Sequence, residues 1–115
     1  MLITGLWPGK KKATKKVANS FQIQNSEKNL HIGDMCSHFI NARGEIFDET
    51  LDRRVIAASL PVIKAIRNKL LVASGIEKAD IICATLMGGL ADVLYIDAPT
   101  AAEVLKKSYE NTEID

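Results

Sequence analysis

The chain has 115 residues, of which 47% are hydrophobic and 25% charged, and its formal net charge is +1. That length bounds it to one domain or part of one, and the composition is that of a globular chain with a core to bury. The small net charge excludes a global field drawing it to nucleic acid or membrane, and two cysteines without a Cys-x-x-Cys pair exclude a zinc ribbon or a disulfide framework.

Met1 to Leu6 is a short apolar start. It lacks the charged n-region and long apolar stretch of a secretory signal, and no run of about 18 apolar residues follows that could span a membrane. A cytoplasmic location is expected. Trp7-Pro8-Gly9, a lysine run from Lys10 to Lys16 and a polar stretch come next, so residues 1–30 read as an irregular, lysine-rich N-terminal segment. The lysine run can hold nucleic acid electrostatically, or it can be a solvated loop. It contains no arginine, and its nearby aromatics are Trp7 and Phe21.

From His31 onward the punctuation becomes regular. His31–Ile40 suits a strand, Asn41-Ala42-Arg43-Gly44 supplies turn chemistry, and Glu45–Asp48 is a short second strand, which predicts a hairpin over 31–48. Arg54–Ala57 is another short apolar run. Ser59 then stands at an N-cap position with Pro61 in the first turn, and a short helix to about Arg67 follows.

Lys69–Ser74 is nearly continuous in apolar residues, the mark of a strand covered on both faces, and Gly75 breaks it. Lys78, Ile81, Ile82, Thr85 and Leu86 fall at helical spacing, with Cys83 among them and Gly88-Gly89 as the stop. Asp92–Ile96 reads as a second buried strand. Asp97 caps a last helix with Pro99 near its start and Lys106 and Lys107 near its end, and Asn111–Asp115 reads as a frayed tail. Strand and helix alternating over short links predict an α/β fold built on a parallel sheet with right-handed crossovers.

Ligands of open parallel sheets bind beyond the carboxyl ends of the strands. That rule points to Ser74-Gly75-Ile76-Glu77-Lys78, where Gly75 permits a tight turn and the amides of the following helix can hold an anion. Lys78 is either a tolerated surface lysine, opposing the helix dipole by about 0.3–1 kcal/mol, or a phosphate or hydroxyl ligand. A second candidate is His31–Phe39. On one strand Asp34, Cys36 and His38 share a face, which is either simply wet or carries Asp34 as an acceptor for sugar hydroxyls. A metal held by Cys36 with His31 or His38 lacks a fourth ligand. A Cys–His nucleophile is disfavoured because alternate strand residues point parallel. No metal and no cofactor is therefore expected.

Four stretches carry a likeness to a known family: Ile32-Gly33-Asp34-Met35-Cys36-Ser37-His38-Phe39 with Asn41–Glu45, then Arg54-Val55-Ile56 with Leu60, then Val72–Lys78, then Ala84–Gly89 with Val93-Leu94, Asp97 and Thr100-Ala101-Ala102. In this order they resemble the C-terminal part of the sugar-binding effector domain of SorC/DeoR-type bacterial transcriptional regulators, over residues 32–105. Ser74 stands where that family has the first glycine of a Gly-Gly-x-x-Lys loop. The resemblance implies a Rossmann-like, mostly parallel sheet with flanking helices that binds a phosphorylated sugar and controls a separate helix-turn-helix. It maps the family's ligand contacts onto Asp34 and Lys78, with Gly33 and Gly75 letting the backbone approach.

Residues 31–115 are then expected to be a partial effector domain. The helix-turn-helix and the first part of the sheet would lie outside the chain, so that the exposed sheet self-associates or joins a larger regulator assembly, with no direct DNA contact of its own. No catalytic residue is expected. Two alternatives remain at this point: a sugar-phosphate isomerase-like fragment using Asp34, Glu77 or a histidine as base, and a small nucleic-acid-associated protein using the Lys10–Lys16 run.

Overall fold

The computed structural model describes residues 1–8 and 32–113. The lysine run and the polar stretch after it, His31 included, lie outside the described residues.

The described residues form two three-stranded sheets. β1 (Leu2–Ile3) pairs in parallel with β5 (Leu70–Val72), and β5 pairs in parallel with β6 (Val93–Tyr95). After Thr4-Gly5 the chain enters an antiparallel sheet ordered β2 (Leu6–Pro8), β3 (Gly33–Met35), β4 (His38–Ile40). The helices are α1 (Glu49–Asp52), α2 (Leu60–Ala65), α3 (Ala79–Met87) and α4 (Ala98–Glu113), and a single 3-10 turn, Ile76–Lys78, leads into α3. The α/β class and the parallel sheet are as the alternation predicts. The antiparallel sheet is an addition to it.

Register sorts the antiparallel sheet into two faces. Leu6, Met35 and His38 stand opposite one another, as do Pro8, Gly33 and Ile40, and Leu6, Met35, His38 and Ile40 are buried. Between these rows, Trp7, Asp34 and Phe39 form a row on the other face, because successive strand residues alternate. The buried face packs on α3. Gly33 permits that contact: a Cβ there would lie 2.3 Å from the carbonyl oxygen of Trp7 and 3.1 Å from the Ile81 side chain.

One core gathers Ile3 and Leu71 of the parallel sheet, Ile63 of α2 and Ile81 and Ile82 of α3, all at 1% exposure or less. Burial of each such side chain stabilises by about 1.5–3 kcal/mol. α3 closes as Gly88-Gly89 predicts, with the Leu90 N–H donating to the Thr85 carbonyl and the Gly89 N–H to Leu86, the paired bonds of a Schellman end.

Several expectations need correction. The predicted strand 31–40 is broken at Cys36-Ser37, both in the left-handed region (φ 49° and 71°), which folds it back as a two-residue hairpin. The hairpin predicted over 31–48 survives only as a single bridge between Ile40 and Ile46. Asp34, Cys36 and His38 therefore do not share a face. Arg54-Val55-Ile56, which the family likeness implies to be a short strand, forms none, and Ile56 is fully exposed. β5 and β6 are covered on one face only: Leu71 is buried, whereas Val72, Val93 and Tyr95 are exposed. α2 ends at Ala65, and α4 runs through residues 111–113 to Glu113, so Lys106 and Lys107 lie in its interior.

Two buried polar groups tie the loops to this frame. Lys69, predicted as part of an apolar strand, is 3% exposed; its ammonium donates to the carbonyls of Lys64 (3.1 Å) and Ile66 (2.7 Å) and meets Asp92 at 3.3 Å. It thus satisfies the end of α2 while its backbone N–H, bonded to the Asp92 carboxylate, holds that carboxyl below the usual range. His38, 2% exposed, donates from Nε2 to the Ala58 carbonyl at 2.6 Å and meets Asp52 through Nδ1 at 2.5 Å. These two bonds fasten α1 and the irregular stretch after it to β4.

Replacing His38 by Ala should cost about 2–3 kcal/mol in urea unfolding and speed hydrogen exchange in residues 49–59 more than elsewhere. In the hairpin, Ser37→Gly should stabilise by up to about 1 kcal/mol in the same assay, because glycine carries no Cβ penalty at positive φ.

Candidate functional site

The loop after β5 and the start of α4 are joined by a short polar chain. The Gly75 N–H donates to the Thr100 hydroxyl oxygen at 3.0 Å, and that hydroxyl donates to Asp97 at 2.7 Å. Asp97 also accepts from the Thr100 N–H at 3.3 Å and from the Ser74 hydroxyl; these bonds, led by the two hydroxyls, hold its carboxyl below the usual range. Asp97 is thus the helix cap that the sequence predicts and, beyond that, the anchor of the Ser74-Gly75 turn. Gly75 sits at φ 121°, a conformation closed to side-chain-bearing residues without strain. Both segments lie just past the carboxyl ends of parallel strands, where the topology rule puts a ligand.

The loop offers an anion fewer donors than its sequence suggests. The Gly75 amide is taken by Thr100, that of Lys78 by the Gly75 carbonyl at 3.0 Å, and that of Ala79 by the Ile76 carbonyl. Lys78 compensates with its side chain. It occupies the N-cap position of α3, where a cation opposes the dipole, and its ammonium swings away to lie 5.6 Å from the centre of the Trp7 ring.

Trp7 connects the two candidate segments. It stands directly opposite Asp34 in the β2–β3 ladder, so the two side chains rise from the same face about 4.5–5.5 Å apart at Cβ. Phe39 flanks Asp34 on the other side. Half-buried between two aromatic residues, the Asp34 carboxyl is pushed above the usual range by desolvation, partly offset by a bond to its own backbone amide. Asp34 and Lys78, far apart in sequence, thus border one indole ring. Gly33 faces the other way, into Ile81, and acts by seating the strand that carries Asp34.

Sequence reasoning missed Trp7, Phe39, Thr100 and the second role of Asp97. The only signals were the alternation of β2 and a Thr three residues after a capping Asp. Cys36 lies in the hairpin turn, where burial pushes its thiol up, and His38 faces the core, so neither joins this face. Among the described residues no three His, Cys, Asp or Glu side chains gather as metal ligands, and no helix is long and apolar enough to cross a membrane. A separate cleft of about 550 Å³ opens at the far end of α3, lined by Arg43, Leu60, Lys64, Met87, Gly88 and Leu90 among others. Neither Asp34 nor Lys78 reaches it.

Comparison with known proteins places the chain in a family. The Sugar-bind family model, described as "Putative sugar-binding domain", matches residues 4–106. The chain is 36% identical over 74 residues to the deoxyribonucleoside regulator of Bacillus subtilis (strain 168), covering 64% of this chain and 24% of that protein. It is 32% identical over 76 residues to the transcriptional regulator LsrR of Escherichia coli (strain K12), covering 65% of this chain and 24% of LsrR. Among solved structures, a transcriptional regulator from Streptococcus pneumoniae TIGR4 superposes with a TM-score of 0.72 at 25% identity, over 93% of this chain and 42% of that one. The chain spans about a quarter of the length of the curated relatives it matches. It belongs to the Sugar-bind family, the sugar-binding domain of DeoR/SorC-type transcriptional regulators.

Proposed function

We propose that this chain senses a phosphorylated sugar, as the effector-binding part of a bacterial regulator acting in the cytoplasm. The observation that carries the reading is the meeting of Asp34 and Lys78 at Trp7, beside the Ser74-Gly75 loop at the carboxyl end of the parallel sheet. Asp34 accepts hydrogen bonds from sugar hydroxyls, and Lys78 supplies the charge for the phosphate. Gly75 lets the loop turn under the ligand, and Gly33 keeps Asp34 in place. The chain acts as a binding module rather than an enzyme, in keeping with relatives that are named as regulators.

The exposed face of the parallel sheet bears on how sensing is transmitted. Leu2, Val72, Val93 and Tyr95 are between 42% and 64% exposed on one side of three strands whose other side is core. Such a patch is covered in a working assembly, by a second copy or by the rest of a regulator. Ligand would then shift the population of subunit arrangements, and a separate domain would contact DNA.

Thermal unfolding against a panel of sugar phosphates tests the site. At least one should raise the midpoint, and Lys78→Ala should weaken that ligand by about tenfold or more, about 1.4 kcal/mol. If no sugar phosphate stabilises the chain, the reading fails.

Asp34→Asn should separate binding from stability. Folding favours the protonated Asp34 because its carboxyl is raised, so its contribution is present in acid and is lost as the pH rises through the folded value. The Asn variant should therefore gain stability relative to wild type as the pH is brought from acid to neutral, while binding the sugar phosphate more weakly. Urea midpoints at several pH values, with a parallel titration of the ligand, give both results.

A further inference from the structure

Trp7 is the chain's single tryptophan and is 63% exposed, although it sits within a strand whose neighbour Leu6 is fully buried. The core does not need it: alternation alone turns it outward, and any strand former would serve there. A large indole left in water is the kind of exposure that marks a contact surface. Its surroundings define what it would contact. Asp34 stands opposite it in the ladder, and the Lys78 ammonium hovers 5.6 Å from its ring centre. A flat apolar ring, a carboxylate and a cation on one small face suit a molecule with a C–H-bearing face, hydroxyls and an anionic group.

We propose that Trp7 is itself a ligand-binding residue, the platform on which the sugar ring stacks, and that Lys78 exchanges its place over the indole for the phosphate when ligand binds. The first half follows from the electron-rich ring face, which attracts the weakly positive C–H groups of a sugar. The second half follows from relative strength. A cation over an exposed ring is a weak contact, whereas an ammonium–phosphate hydrogen bond is charge-assisted at both ends. The Lys78–Trp7 contact is then the resting position of the lysine, which keeps its charge at the site without burying it. This inference rests on the reading of Asp34 and Lys78 as ligand contacts.

The test uses the full chain, its own tryptophan emission and isothermal calorimetry with ribose 5-phosphate, glucose 6-phosphate and inorganic phosphate. Whichever sugar phosphate stabilises the wild type should bind Trp7→Leu at least about tenfold more weakly, and Trp7→Phe within about threefold of wild type. Inorganic phosphate, which has no ring to stack, should bind Trp7→Leu as it binds the wild type. It should also change the Trp7 emission of the wild type in a saturable way and leave that of Lys78→Ala unchanged. Equal loss of phosphate and sugar phosphate in Trp7→Leu would mean that Trp7 only holds the fold of the site, and would overturn the platform. Undiminished sugar-phosphate binding in Trp7→Leu, with Lys78→Ala still defective, would overturn the platform while leaving the site intact. Saturable phosphate binding without an emission change would overturn the exchange. If neither sugar phosphate binds the wild type, the site and the platform fall together.

Discussion

The contact between β3 and α3 at Gly33 is the constraint from which the site follows. The space a side chain would need is already held by the Trp7 carbonyl and by Ile81. With the antiparallel sheet pressed this close to the helix, one set of rows must point inward, and the row of Trp7, Asp34 and Phe39 must point out. The same helix begins at Lys78, so the closeness of sheet and helix is also what brings an ammonium over the indole. A side chain at position 33 would collide first with the Trp7 carbonyl, 2.3 Å from its Cβ, and so disturb the β2–β3 pairing that sets Trp7 opposite Asp34.

The polar bonds around this contact have a common purpose: they fix segments that bury little of their own surface. Asp97 and Thr100 bind the turn after β5 to α4, His38 binds the stretch after α1 to β4, and Lys69 binds the end of α2 to Asp92. In each case a loop too short to form a core borrows rigidity from an element that has one. The proposed ligand site needs that rigidity, since Trp7, Asp34 and Lys78 come from three separate segments.

Much of the second half of the fold was legible in the sequence. The apolar run ending at Gly75, the helical spacing up to Gly88-Gly89 and the Asp97 cap each carry a local signal, and each element formed within a few residues of expectation. The first half was less legible for physical reasons. Cys36-Ser37 carries no recognised turn chemistry, yet it turns, because the strands on either side must bury Met35 and His38 together. α1 is too short to show a period, although Asp48, whose side chain accepts from the Leu51 amide at 2.9 Å, is an ordinary cap. An apolar run also cannot report whether both of its faces are covered, and here one is not. Of the candidate site, Gly75 and Lys78 were singled out by loop position and Asp34 by its place on a strand, and the family likeness then favoured Asp34 and Lys78 as ligand contacts. Trp7 was hidden because its partners lie in segments remote from it, and no pattern along the chain links them.

The pairing of β1 with β5 sets a timetable for the chain. The strand at residues 2–3 finds its partner at Leu70 and Leu71, nearly 70 residues further along the chain. Roughly 70 residues of synthesis separate the two, about 4–14 s at about 5–20 residues per second. Throughout that interval β1 waits for β5, its partner among the described residues, while the hairpin of β3 and β4 can close from neighbours alone. The antiparallel sheet is thus able to form early and locally, and the parallel sheet is a late assembly whose slow step is a long loop closure. A mutation that weakens β5 would therefore show first in the yield of folded chains made at speed, before it shows in the stability of those that have folded.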